Sequence, residues 1–160
     1  CYYESDATIA FEEDFEVGGS VFTSTANSDT TIIQSSAAGL VEPVFGGTYT
    51  GVVYLTGDKN DLEVENIEFY TIPKNNTSIF LEFSYKSDIA FDVGYKNSLD
   101  ETHKYLTVNP SSSWNRMYFN LTSFINADKA SKFKILFAAS LTDSTSNSTI
   151  LLDNIKLIHF

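Results

Sequence analysis

The chain has 160 residues and sets 21 Asp and Glu against 10 Lys and Arg, a formal net charge of −11. It is 42% hydrophobic, 14% aromatic and only 19% charged, which excludes a disordered chain or a coiled coil and fits a single domain. The acidic balance argues against nucleic acid and against a basic membrane-surface patch, since both need clustered cations; no apolar run approaches the roughly 18 residues of a membrane-spanning helix.

Cys1 is the first residue and the only cysteine. No intramolecular disulfide can form, and a zinc site built on several thiolates is excluded. A lone cysteine at the start of a mature chain, followed by the polar Tyr2-Tyr3-Glu4-Ser5-Asp6, resembles the bacterial lipoproteins, whose signal peptide is cut just before a lipid-modified cysteine. The resemblance implies an anchor at Cys1, a tether over residues 1–7 and a domain over residues 8–160. The domain would then be displayed at the bacterial cell surface on the outer membrane, or in the periplasm, touching the membrane through acyl chains alone. An arbitrary trimming point is the alternative reading of Cys1.

Beyond the tether the dominant pattern has period two, as in strands with one buried face. Strands are predicted near Tyr49–Leu55 and Leu62–Tyr70, the second with a phase slip between Leu62 and Val64 on one side and Ile67 and Phe69 on the other. In Ile79–Lys86, Ile79, Leu81, Phe83 and Tyr85 share a face; in Ile89–Lys96, Ile89, Phe91, Val93 and Tyr95 do so. The short Lys86-Ser87-Asp88 link predicts a hairpin between them. Further strands are expected near Tyr105–Val108, Trp114–Leu121 and Phe133–Ala139, with one short helical turn within Leu121–Ala130. In the last strand, Thr149–His159, Ile150 and Leu152 fall on one parity and Ile155 and Leu157 on the other, and a bulge at Asp153-Asn154 would return all four to the core. About eight strands without long helices imply an all-β fold, a two-sheet antiparallel sandwich or jelly roll. Four sequons, at Asn75, Asn76, Asn120 and Asn147, are read as a product of a composition rich in Asn, Ser and Thr.

Three segments carry a family resemblance. Phe11-Glu12-Glu13-Asp14-Phe15-Glu16-Val17-Gly18-Gly19 resembles the opening segment of jelly-roll carbohydrate-binding modules. Trp114-Asn115-Arg116-Met117-Tyr118-Phe119-Asn120-Leu121 is similar to their mid-chain Trp strand, and Ile150-Leu151-Leu152-Asp153-Asn154-Ile155-Lys156-Leu157 to the strand that closes them. Together they resemble the galactose-binding-like superfamily, a scaffold that hosts many unrelated binders. By that resemblance Glu16 and Asp153 match the positions of a structural Ca²⁺, an ion that takes six to eight oxygens, with Glu13 and Asp14 as nearby alternatives. The competing reading is a solvated acidic edge with Asp153 capping a bulge.

The Trp strand also offers a candidate sugar site. If Met117, Phe119 and Leu121 point inward, then Trp114, Arg116, Tyr118 and Asn120 point outward. Trp114 and Tyr118 on either side of Arg116 could stack on a pyranose while the guanidinium bonds its hydroxyls; the competing reading packs Trp114 at the sandwich edge. Tyr54 and Phe80 are further outward candidates. There is no His-Glu-x-x-His, no Gly-x-Ser-x-Gly and no glycine-rich phosphate loop, and His103 and His159 stand isolated in sequence. The expected function is therefore a non-catalytic, envelope-anchored binding protein whose partner is a glycan. A structural or adhesion module contacting other surface proteins is the alternative, and a small glycan-active enzyme a more distant one.

Overall fold

Residues 6–18, 20–36, 45–74 and 78–160 are described by the computed structural model of the chain; Cys1, with its expected anchor, and the sequons at Asn75 and Asn76 lie outside them. In chain order the strands are β1 (Thr8–Glu13), β2 (Phe22–Ser24), β3 (Ile33–Ser36), β4 (Tyr49–Leu55), β5 (Asp61–Asn66), β6 (Tyr70–Thr71), β7 (Ile79–Ser87), β8 (Phe91–Asn97), β9 (Thr102–Val108), β10 (Ser111–Asn120), β11 (Lys132–Ser140) and β12 (Ser148–His159). Among the described residues a single helix, α1 (Thr122–Ala127), follows β10. One antiparallel sheet has the order β10-β7-β12-β4-β3, with β1 beside the second half of β12. The other runs β2-β5-β11-β8-β9, with β6 at the start of β11. The two form a β-sandwich, the fold class that period-two patterning predicts.

Alternation explains the core. Leu81, Phe83 and Tyr85 of β7 point inward to meet Phe91, Val93 and Tyr95 of β8 and Phe133, Ile135 and Phe137 of β11. At its centre the Phe83 and Phe137 rings lie 5.4 Å apart and perpendicular, and Tyr85 meets Phe91 edge-on at 5.5 Å. Each ring removes enough apolar surface from water to contribute about 2–3 kcal/mol. The β12 bulge is where the slipped parity places it: register shifts between Asp153 and Lys156, Asn154 takes φ 49°, and Ile150, Leu152, Ile155 and Leu157 are all buried. The predicted helical turn is α1, held by Leu121 and Ile125, both 1% exposed and four residues apart.

Two expectations are corrected. The β7–β8 link is not a hairpin turn, because β7 pairs with β10 and β12 whereas β8 pairs with β9 and β11. Its chemistry turns the chain out of the first sheet: Ser87 Oγ donates to the Ile89 carbonyl (2.6 Å) and accepts from the Ile89 N–H (3.2 Å), and Asp88 Oδ1 accepts from Thr149 N–H on β12 (2.8 Å). Period two shows which face is buried but not which sheet a strand joins. The strand expected to reach Tyr70 ends at Asn66, whose buried Oδ1 accepts the Ile135 N–H (2.8 Å) in place of a ladder partner. Ile67 and Phe69 are exposed rather than returned to the core, and the next buried apolar residue is Ile72.

Candidate functional site

On the outer face of the β2-β5-β11-β8-β9 sheet, small and long side chains lie side by side. The central strand β11 presents Ala138, and neighbouring β8 presents Gly94, with Ala90 just before it. The flanks present longer groups: Asp61 and Glu63 on β5, Asp92 on β8 and Lys104 on β9. A low floor between taller walls makes a groove of about 450 Å³, lined by Asn27, Asp61, Glu63, Asp92, Lys104 and Ser140. Several lining groups are held in place. Glu63 Oε1 accepts from Thr25 Oγ1 (2.8 Å) and Asn27 Nδ2 (3.1 Å), Asp61 Oδ1 from Ser140 Oγ (2.5 Å), and Asp92 Oδ1 from Thr107 Oγ1 (2.7 Å). Further along the same face, Glu65 binds Lys134 (3.2 Å) and Lys96 (3.8 Å), and Phe69 lies under Lys134 Nζ at 4.6 Å. Carboxylate acceptors face an ammonium donor across an alanine floor, an arrangement that can bracket a polyhydroxylated chain. Of these residues only Ala90, Asp92, Gly94 and Lys96 alternate in sequence with the inward set Ile89, Phe91, Val93 and Tyr95. The juxtaposition of β5 with β8 and β9 across β11 comes from sheet order.

The outward face of β10 belongs to the other sheet. Arg116 and Tyr118 lie beside Ser84 and Glu82 of β7, and the Trp114 ring packs on Phe45 with centroids 5.4 Å apart. Arg116 ion-pairs with Glu82, whose carboxylate is 1% exposed, and its guanidinium sits 5.6 Å from the Tyr118 ring. Arg116 and Tyr118 therefore share one face, with the cation neutralised by a buried acid and Tyr118 half exposed, while Trp114 lies in the irregular stretch of β10 between Ser111 and Asn115. Tyr54 is exposed as well, but on β4, in a separate recess with Ile33, Asp29 and Lys59.

Glu16 and Asp153 come together at one corner of the same sheet. Glu13 closes the β1–β2 connection, with Oε1 accepting from Phe15 N–H (2.8 Å) and Oε2 from Val21 N–H (2.7 Å). Phe15 takes φ 59°, and its ring fills the space over Gly51, where a Cβ would lie 2.4 Å from the ring. This tight left-handed step re-aims the chain. Glu16 Oε1 then accepts from Thr48 N–H (2.7 Å) and Tyr49 N–H (2.8 Å), joining the opening segment to β4. Asp153 is 1% exposed; its Oδ1 accepts the Asn154 N–H (2.8 Å) while its Oδ2 is buried with no hydrogen-bond partner among the described residues. Burial, reinforced by the negative charges of Glu16 and Asp14, pushes its carboxyl up to about 7. An orphaned oxygen among acidic groups is a donor set that fits a hard divalent cation.

With this geometry in view, comparison with known proteins is informative about fold. No protein-family model matches the chain, and no curated protein matches it. Solved structures of family 29 carbohydrate-binding modules do. One variant module complexed with mannohexaose superposes with TM-score 0.56 at 14% identity, covering 98% of this chain and 92% of that one. Another variant, complexed with cellulohexaose, gives 0.54 at 15% over 98% and 92%. A further family 29 module gives 0.54 at 16% over 96% and 86%. At these identities the likeness shows the fold: the chain has the β-sandwich of the carbohydrate-binding modules.

Proposed function

We propose that this domain is a non-catalytic carbohydrate-binding module that holds a glycan in the groove over β11. The observation that carries the proposal is the groove itself, with Asp61, Glu63 and Asp92 as acceptors, Asn27 and Lys104 as donors, and an alanine floor. Such a site recognises hydroxyls by hydrogen bonds rather than by net charge. The outward face of β10, with Trp114, Arg116 and Tyr118, is proposed as a second contact surface. Its stacking surface complements a groove whose aromatic lining residue, Phe91, is buried in the core. We further propose Glu16 and Asp153 as ligands of a structural Ca²⁺ that would tie the opening segment to β12, and Cys1 as a lipid anchor that displays the domain at the bacterial envelope.

Calorimetry of the whole chain with mannohexaose and cellulohexaose tests the proposal, since these occupy two of the similar modules. Asp92→Ala and Lys104→Ala should each weaken binding about tenfold or more, the loss of one charge-assisted hydrogen bond. A larger loss on Trp114→Ala than on the groove variants would move the site to β10. No binding across a broad glycan array would overturn the carbohydrate reading and favour a surface-protein partner. Mass spectrometry of the native protein tests the anchor: an unmodified Cys1 overturns it.

A further inference from the structure

A separate cluster lies away from both surfaces, where the edge strand β9 meets the connection from α1 to β11. Glu101 and His103 are two residues apart on extended chain and so project to the same side. Asp128, the C-cap residue of α1, faces them. Carboxylate oxygens of Glu101 and Asp128 and a ring nitrogen of His103 lie within 4.8 Å of one another, and His103 Nε2 stands 4.0 Å from Asp128 Oδ2. Two ligands on one metal ion, each at about 2.0–2.2 Å, are separated by about 3–4 Å.

The donors are held by their neighbours. Asn97 closes the β8–β9 turn, its Oδ1 accepting from the Leu99 and Glu101 N–H groups at 3.0 Å each. The same amide donates through Nδ2 to Glu101 Oε2 (2.7 Å) and to both Asp128 oxygens (3.1 Å), so one side chain orients both carboxylates. Asp128, with its side chain 4% exposed, also accepts from Tyr95 Oη (2.9 Å) and Ala130 N–H (2.8 Å). Burial alone would raise its carboxyl, but these hydrogen bonds and His103 outweigh it and keep the group low, as an anion. The His103 ring lies 5.0 Å from the Tyr95 ring and parallel to that of Tyr105 at 6.2 Å. Lys74 meets the Asp128 backbone carbonyl rather than its carboxylate. An imidazole and two carboxyl groups, each positioned by a second layer of hydrogen bonds or rings, have the layout of a transition-metal site.

We propose that Glu101, His103 and Asp128 bind a borderline divalent cation of the zinc type, which would fasten β9 to the α1–β11 turn. The site is distinct from the all-oxygen corner at Glu16 and Asp153, which suits a hard cation instead. Zn²⁺ titration of the whole chain by calorimetry should show one ion bound per chain and a rise in melting temperature. His103→Gln should weaken that binding by about tenfold or more, while His159→Gln, on β12, should leave it unchanged. Because His103 is 41% exposed, its replacement is compatible with folding. A second measurement needs no variant. In the parent protein, Co²⁺ should broaden the nuclear magnetic resonance signals of residues 97–103 and 128 first. Unsaturable Zn²⁺ binding, equal affinity in His103→Gln, or broadening centred on residues 14–16 and 153 would each overturn the proposal.

Discussion

Asp153 shows what a single carboxyl contributes when its surroundings are acidic. Its folded value of about 7 lies above the 3.8 of the unfolded chain, so between these pH values the folded state holds a proton that the unfolded state has released. The contribution to stability is complete below about pH 4 and is lost as pH rises through 7. In chelator at pH 8, Asp153→Asn should therefore be more stable than the parent by on the order of 1–3 kcal/mol in denaturant unfolding, with the difference gone at pH 4. Millimolar Ca²⁺ should then stabilise the parent and not the variant. A variant less stable than the parent at pH 8 in chelator would show that the buried carboxylate is compensated. Arg116 poses the converse case. Its removal leaves the 1%-exposed Glu82 without the guanidinium, so Arg116→Ala should cost about 1–3 kcal/mol and the double variant with Glu82→Gln markedly less. If the two are equally unstable, the pair adds nothing. Any loss of glycan binding in Arg116→Ala has to be weighed against that structural cost.

At the level of strands, alternation was legible wherever a segment ran long enough to show it. β4, β7, β8, β11 and β12 lie close to where period two places them, and the Asp153-Asn154 bulge is visible as a parity slip. The shorter β2, β3 and β6, of three, four and two residues, carry no such signal, because they are defined by the strand they pair with. The β7–β8 link misleads for the same reason: a three-residue connection serves equally as a hairpin or as a step between sheets. Gly94 offers a test of how tightly β8 and β9 are joined. A Cβ there would lie 2.0 Å from the His103 carbonyl oxygen, which is backbone and cannot rotate aside. Gly94→Ala should cost about 1–3 kcal/mol and disturb the groove, whereas Gly18→Ala, with nothing within 4 Å, should be close to neutral in thermal melts. Equal melting temperatures for the two would mean that the β9 edge yields freely.

Across the whole molecule, a net charge of −11 on 160 residues disfavours the compact state by self-repulsion. Raising ionic strength from about 10 to 150 mM should raise the melting temperature, since the Debye length contracts to about 8 Å. A fall would mean that local pairs such as Lys134 with Glu65 outweigh the global term. The candidate sites were legible in proportion to how local they are. Arg116 and Tyr118 share a face because alternation on one strand puts them there, whereas Trp114 falls where that alternation is interrupted. Glu16 and Asp153 are paired by resemblance alone; the structure ties Glu16 to the β4 amides and puts its charge within reach of Asp153. The groove, by contrast, gathers Asn27, Asp61, Asp92, Lys104 and Ser140 from five segments of the chain, and His103 gains its neighbours only when Asp128 folds back across β9. No spacing rule along the polypeptide encodes either.

Because β12 lies between β7 on one side and β4 and β1 on the other, its sheet has no continuous centre until Ser148–His159 has been synthesised. A chain halted before Ser148 would hold β7 and β4 with an open seam between them. Filling that seam with β12 is what joins the two halves of the sheet, and the Asp153 bulge has to be accommodated against β7 as it does so.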